Sequence, residues 1–146
     1  MSVLRGEGRV PILYGSRSFS VGTRTHHGYL SRPDLTGEWP TVIVVASEWG
    51  VTSAVKDLCR RLSRHGFAAV APDVFRGRGP ARSASQEEAL AALGALASRR
   101  IASDLNDFVD FVQNPSGFWS SAEDGFGIVG LGGGGRSAAG LAAKHG

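Results

Sequence analysis

Two runs of apolar and β-branched residues form the clearest structural pattern in this chain. They are residues 41–46, TVIVVA, and residues 67–71, FAAVA. A strand that is apolar on both faces must be covered on both faces, which is typical of a parallel sheet between helices. A third apolar run, residues 127–131, leads into four consecutive glycines. We therefore predict two buried strands and a third strand that ends in a tight turn.

A helical pattern separates the first two strands. Its apolar positions recur at i, i+3, i+4 and i+7, and they are Val55, Leu58, Cys59 and Leu62. Thr52 or Ser53 can cap the start of this helix, and Gly66 can end it in the left-handed conformation. Because Cys59 lies on the apolar stripe, we expect it to be an unreactive thiol in the core.

Two more helices are predicted between the second and third strands. One begins near Ser85, and the other carries an apolar stripe over residues 101–112. The aspartates of the later helix fall largely away from its stripe; they are Asp104, Asp107 and Asp110. Residues 1–27 alternate only weakly and predict one or two short edge strands. On such strands we expect His26 and His27 to be surface imidazoles.

The predicted element order is β-α-β-α-α-β-α, in one domain over residues 1–146. Right-handed crossovers between parallel strands would stack these elements into a three-layer α/β sandwich with a mostly parallel sheet. In such sheets the functional loops gather at the carboxyl ends of the strands. Here those loops are residues 47–51, 73–80 and 132–135, so we expect a functional site among them.

The composition narrows the possible functions. The formal net charge is +3, and the arginines that supply most of the positive charge are scattered without the interleaved aromatic residues of a nucleic-acid surface. The single cysteine excludes an internal disulfide and a cysteine-rich metal site. No segment is apolar for long enough to cross a bilayer. We predict a cytoplasmic protein with no nucleic-acid or membrane partner, no metal and no cofactor.

Five segments, in this order, resemble the dienelactone hydrolase family of α/β-hydrolases. They are residues 28–33 (GYLSRP), 47–51 (SEWGV), 58–75 with its Pro72-Asp73 turn, 104–105 (DL) and 127–135 (GIVGLGGGG). The resemblance covers the chain roughly from Gly28 to Lys144. It implies an α/β-hydrolase fold and an enzyme that hydrolyses small esters or lactones. The nucleophile would be a cysteine in a G-x-C-x-G elbow between a strand and a helix.

The nucleophile position is the important departure from the family pattern. Aligned on Gly130 and Gly134, it is Gly132, which has no side chain to attack a carbonyl. Ser137 is the nearest hydroxyl, but it falls inside the helix after the elbow. The family's Asp and His follow that helix, whereas this sequence ends at Gly146, so we expect an incomplete domain, truncated after the elbow helix. The chain is therefore predicted to be a fragment or a pseudoenzyme, inactive or severely impaired.

The resemblance also implies roles for other positions. The backbone N–H groups of Gly133 and Trp49 would form the oxyanion hole. An ungapped alignment puts Ser47 at the position of the acid that holds the resting nucleophile, and a shift of one residue puts Glu48 there. We choose Glu48, with a surface-loop acid as the alternative. The strict alignment puts Gly77 at the position of the substrate-binding arginine. Arg76 or Arg78 beside it would bind an anionic substrate, with a solvated loop arginine as the alternative for each.

Two other functions stay open on the sequence. Gly130, Gly132 and Gly135 satisfy G-x-G-x-x-G between a strand and a helix, which is a weak indication of nucleotide binding. The last predicted strand would also be an exposed apolar sheet edge, through which a non-catalytic interaction protein could form a homodimer.

Overall fold

The computed structural model describes residues 8–113, 120–121 and 125–145. Its elements in chain order are β1 (Ile12–Val21), β2 (Arg24–Pro33), β3 (Thr41–Val45), α1 (Ser53–Arg64), β4 (Ala68–Pro72), α2 (Gln86–Gly94), α3 (Ser98–Gln113), β5 (Phe126–Gly130) and α4 (Gly135–His145). A single turn of 3-10 helix, Gly132–Gly134, joins β5 to α4. β3, β4, β5 and the helices form where the apolar pattern predicts them.

The strands form one sheet in the order β1-β2-β4-β3-β5. β3 is hydrogen-bonded to β4 on one side and to β5 on the other, and both neighbours are parallel to it. β2 is antiparallel to β4, and β1 is antiparallel to β2. The N-terminal segment, predicted as one or two short strands, is thus a long hairpin that extends the sheet; residues 1–7 of that segment lie outside the described residues.

Helices cover the sheet on both faces. Alternate residues of β3 and its carboxyl end show which helices lie on each face. Successive side chains of a strand point to opposite faces of the sheet. Ile43 and Val45 pack with α3 and α4, whereas Val44 and Ala46 pack with α1. All four side chains are buried. The chain is therefore a three-layer α/β sandwich, as predicted, with a mixed sheet in which β3, β4 and β5 are parallel.

The first helix forms as its spacing predicts. Thr52 caps α1, since its hydroxyl accepts a hydrogen bond from the Val55 N–H at 3.4 Å. Cys59 lies on the buried side of the helix and is fully inaccessible to solvent. Burial raises the pKa of the Cys59 thiol to about 12. The thiol therefore stays protonated at neutral pH, and a protonated thiol is a poor nucleophile.

The N-terminal hairpin buries polar groups that the sequence places at the surface. The predictions for His26 and Asp107 were wrong: both are buried, and His26 Nε2 lies 2.6 Å from Asp107 Oδ2. Arg24 donates to the other carboxylate oxygen of Asp107 at 2.5 Å. The reason is that the hairpin packs against α3, with Phe19 of β1 against Phe108 of the helix. This contact buries a second face of α3 beside the predicted apolar stripe.

Asp104 of α3 is also buried, contrary to prediction. Arg76 and Arg100 form ion pairs with its carboxylate at 2.9 Å and 3.0 Å. Arg100 also donates to the carbonyl oxygen of Val74 at 2.7 Å. A buried carboxylate is tolerated when it is paired in this way. The Arg76–Asp104 pair and the Arg100–Val74 hydrogen bond attach α3 to the loop that follows β4.

Candidate active site

The turn after β5 has the geometry of a nucleophile elbow. Gly132 has a φ of +50°, in the left-handed region that side-chain-bearing residues adopt at a cost, as the nucleophile of an elbow does. A Cβ at Gly132 would lie 2.8 Å from Glu48 Oε2 and 3.2 Å from Ser47 Cβ. The position predicted for the nucleophile therefore points toward the loop after β3, and in this chain it carries no side chain.

Close packing of α4 on the sheet explains the need for glycine on the strand side of the elbow. A Cβ at Gly130 would lie 2.7 Å from Ala138 Cβ and 2.7 Å from the Cα of Gly135. Real Cβ atoms do not approach other atoms so closely, so only glycine lets the first turns of α4 lie this near β5. This short distance between α4 and β5 places the N–H groups at the start of the elbow against the carboxyl end of β3.

Glu48 is buried beside the elbow, with 5% of its surface exposed. Its Oε2 accepts a hydrogen bond from the Gly133 N–H at 2.8 Å, and the Gln86 side-chain amide donates to Oε1. The hydrogen bonds from the Gly133 N–H, from the Glu48 backbone and from Gln86 lower the pKa of the Glu48 carboxyl, against the opposing effect of burial. An ionised carboxylate therefore lies next to Gly132, so the surface-loop alternative for Glu48 does not describe this fold.

Both predicted oxyanion-hole donors make hydrogen bonds within the protein. The Gly133 N–H donates to Glu48, and the Trp49 N–H donates to the Ser47 hydroxyl at 3.3 Å. The Trp49 indole also donates to Gln86 Oε1 at 3.2 Å. Gln86 thus links the loop after β3 to the start of α2. The role of Gln86 is not predictable from the sequence, because its only local signal is a position directly after the Ser85 helix cap.

The loop after β4 lies beside the loop after β3, as expected for carboxyl ends of parallel strands. The Asp73 carboxylate accepts hydrogen bonds from the Phe75 and Gly77 N–H groups at 3.1 Å and 2.8 Å, which orders the turn. Phe75 is buried, and its ring would be 3.4 Å from a Cβ at Gly50. The two loops therefore meet around Phe75.

The two candidate substrate-binding arginines lie in this second loop. The Arg76 guanidinium pairs with Asp104, which raises its pKa and directs it toward α3. Arg78 is exposed to solvent. Neither side chain has a hydrogen bond to Glu48 or to the elbow among the described contacts, so their role in substrate binding stays a prediction.

Ser137 lies in α4, where it lines a groove against α3. The direction of a side chain at Gly132, by contrast, is toward Glu48.

Within residues 8–113, 120–121 and 125–145, no group of three or more His, Cys, Asp or Glu side chains could hold a metal ion. In the same part of the chain, no helix combines the length and apolar character needed to span a membrane.

Glu48→Gln is expected to lower the free energy of unfolding at pH 7 by about 1–3 kcal/mol, because the amide is a weaker acceptor than the carboxylate. The folded-state pKa of Glu48 lies below its unfolded value. Its ionised form therefore stabilises the fold above the unfolded pKa of about 4.3, and this contribution is lost as pH falls through the lower folded pKa. Urea denaturation at pH 7 and near pH 3 measures the difference.

The matched control for Glu48 is Glu87→Gln, at an exposed position in the first turn of α2. This substitution is expected to change the free energy of unfolding by less than about 0.5 kcal/mol. A penalty for Glu48→Gln that is equally large at both pH values would show that its carboxylate charge does not stabilise the elbow.

Comparisons with known proteins agree with this geometry. The family model described as "Dienelactone hydrolase family" matches residues 26–146. A "Putative carboxymethylenebutenolidase" from Yersinia pestis is 41% identical over 58 residues, which are 39% of this chain and 22% of that protein. A "Probable 2-oxo-3-(5-oxofuran-2-ylidene)propanoate lactonase" from Bradyrhizobium sp is 29% identical over 103 residues, which are 70% of this chain and 40% of that protein.

A solved structure extends the similarity to the fold. The crystal structure of a "Putative Dienelactone Hydrolase" from Klebsiella pneumoniae matches with a TM-score of 0.69 and 26% identity, over 82% of this chain and 50% of that one. The chain thus spans half of that structure and less than half of the two relatives. The family match covers most of the chain and includes the elbow and the Glu48 loop. This chain belongs to the dienelactone hydrolase family.

Proposed function

We propose that this chain provides the scaffold of an ester or lactone hydrolase site and that, as it stands, it does not turn over such substrates. The observation that carries the proposal is Gly132. It occupies the strained elbow position, with φ +50°, and points at a buried carboxylate, but it has no nucleophilic atom. One relative bears the name of a lactonase, which supports the substrate class.

The state of the oxyanion hole supports the same proposal. Its two N–H groups donate to Glu48 and to Ser47, so neither is free for a carbonyl oxygen. The ionised Glu48 carboxylate also lies where negative charge would develop during attack on an ester. Like charges oppose each other, whereas catalysis needs donors aimed at that charge. The elbow therefore lacks a nucleophile, and it also has no free N–H donor for the negative charge of the transition state.

The activity experiment uses p-nitrophenyl acetate as the ester and dihydrocoumarin as the lactone. We expect the purified chain to hydrolyse neither above the buffer background, and Ser137→Ala to behave identically. Turnover by the chain above background would overturn the proposal. If that turnover disappeared in Ser137→Ala, the hydroxyl in α4 would be the nucleophile.

A second experiment tests the assignment of the nucleophile position. In Gly132→Cys, the new sulfur would attack the carbonyl carbon of p-nitrophenyl acetate, p-nitrophenolate would leave, and one acetyl group would remain at position 132. The Glu48 carboxyl is the flexible end of a side chain and can move from the new Cβ, which frees the Gly133 N–H. We expect acetylation at least tenfold faster than in Ser137→Cys, measured by intact-protein and peptide mass spectrometry.

The native thiol provides a low background for that measurement, because Cys59 is buried and protonated. Equal acetylation rates in Gly132→Cys and Ser137→Cys would overturn the assignment of the elbow. Circular dichroism checks that Gly132→Cys is folded. Gly132→Ala is the control variant, because it has the Cβ that strains the positive φ but no thiol.

A homodimer is the second candidate, and the position of β5 favours it. β5 is an edge strand of the sheet formed by the described residues, with Phe126 and Ile128 only partly buried. Such an edge can pair with another strand. Light scattering tests this candidate, and a monomer at micromolar concentration argues against it.

Nucleotide binding is less favoured, because the Glu48 carboxylate already binds the Gly133 N–H and would repel a phosphate.

A further inference from the structure

A groove between α3 and α4 lies apart from the Glu48 loop and has a volume of about 280 Å³. Ser98 and Arg136, near the starts of α3 and α4, line the groove, and so do Asn106 in the middle of α3 and Lys144 near the end of α4. His145 Nε2 lies 2.7 Å from Asn106 Oδ1, which fixes that end. The hydrolase chemistry proposed above makes no use of this groove.

The floor of the groove is apolar. Ile101 and Leu105 contribute from α3, and Leu141 contributes from α4. Gly140 leaves space between them, because no atom lies within 4 Å of the position that a Cβ would take there. A groove with an apolar floor and a polar rim is suited to an alkyl chain that carries a polar group.

The rim of the groove is positively charged. Arg136 and Lys144 are exposed, and neither has an ion pair with the described residues. No Asp or Glu is among the described residues that line the groove. At the Arg136 end, the hydroxyls of Ser98 and Ser137 add hydrogen-bond donors. The partial positive charge of the starts of α3 and α4 reinforces Arg136 there, so an anionic group is favoured at that end.

We propose that this groove binds a medium-chain alkyl carboxylate. The carboxylate pairs with Arg136, and the alkyl chain lies over Ile101, Leu105 and Leu141 in the direction of Lys144. The two cations are eight positions apart on α4, which corresponds to about 12 Å at the helical rise. An extended octanoate fits this length, whereas acetate reaches only the charged end.

Calorimetric titration of octanoate into the full chain tests the proposal. We expect saturable binding of octanoate, no measurable binding of acetate, and binding of octan-1-ol that is at least fivefold weaker because it lacks the charge. Arg136→Gln is expected to weaken octanoate binding by about five- to tenfold. Lys144→Gln is the matched control, because it removes a cation at the far end, and its effect is expected to stay within about twofold.

Gly140→Leu tests the apolar part independently of the charge. The new side chain enters the open space of the groove and is expected to abolish octanoate binding. Leucine has a higher helix propensity than glycine, so α4 is expected to be retained or strengthened. Circular dichroism melting confirms that the variant is folded before the titration is interpreted.

A titration of the unmodified chain without saturable heat would overturn the proposal, and so would octanoate binding that persists in Gly140→Leu. A larger loss in Lys144→Gln than in Arg136→Gln would overturn the position of the carboxylate. None of these substitutions changes Gly132 or Glu48, so the outcome is independent of the proposed hydrolase function.

Discussion

Gly134→Ala is expected to lower the free energy of unfolding by more than about 3 kcal/mol, or to prevent folding. A Cβ at this position would overlap the carbonyl oxygen of Ala46 and lie 2.8 Å from that of Val45. These are backbone atoms at the carboxyl end of β3, which is hydrogen-bonded on both sides and cannot move aside. Urea denaturation followed by tryptophan fluorescence measures the loss.

The neighbouring glycine provides the control. Gly135 has a φ of −61° and no atom within 4 Å of a Cβ position. Gly135→Ala is therefore expected to be neutral or to stabilise the protein by up to about 1 kcal/mol, because alanine restricts the unfolded chain and favours the helix. Similar losses in both variants would contradict the close approach of the elbow to β3.

Asp107→Ala is expected to lower the free energy of unfolding by about 1–3 kcal/mol, the usual result of leaving a buried hydrogen-bonding group without its partner. Asp107 is buried on α3 and holds both His26 and Arg24 of β2. Without the carboxylate, the buried His26 ring loses its hydrogen-bond partner, and the N-terminal hairpin loses its polar attachment to α3. Urea denaturation at pH 7 measures the effect.

A surface aspartate provides the matched control for Asp107. Asp57 has a 46% exposed side chain and pairs with Arg61 at 2.8 Å on α1. Asp57→Ala is expected to cost less than about 1 kcal/mol, since exposed ion pairs contribute little. The double variant His26→Ala with Asp107→Ala should cost less than the two single losses combined, because both remove one shared interaction. Strict additivity would contradict the pairing.

The proposed inactivity and the stability of the elbow depend on the same hydrogen bond. The Glu48 carboxylate accepts a hydrogen bond from the Gly133 N–H directly after Gly132, which has no side chain. Glu48→Gln and Gly132→Cys therefore examine the two consequences separately. The first removes the charge that stabilises the turn, and the second introduces the missing atom and displaces the carboxylate from the N–H.

The sequence by itself determined those features that are encoded locally. Unbroken apolar runs identify β3 and β4, because a strand buried on both faces leaves no position for a polar residue. The apolar run before the glycines identifies β5, which lies at the edge of the sheet. Helical spacing identifies α1 and places Cys59 in its core-facing stripe. The spacing of glycines after β5 predicts the tight turn before α4; that Gly132 is its nucleophile position, which rests on the family resemblance, stays a prediction. The predictions of fold and family are confirmed.

Only the tertiary structure decided the polar partners. His26 and Asp107 are 81 positions apart, Gln86 and Glu48 are 38 apart, and the pair of Arg76 with Asp104 spans 28. No periodic pattern links residues at such separations. The burial of Asp107 depends on a hairpin that packs against the helix, and the hydrogen bond from the Gly133 N–H to Glu48 depends on how close the glycine turn lies to the end of β3. A local pattern specifies which face of an element is apolar, but the chain must fold before a buried charge meets its partner.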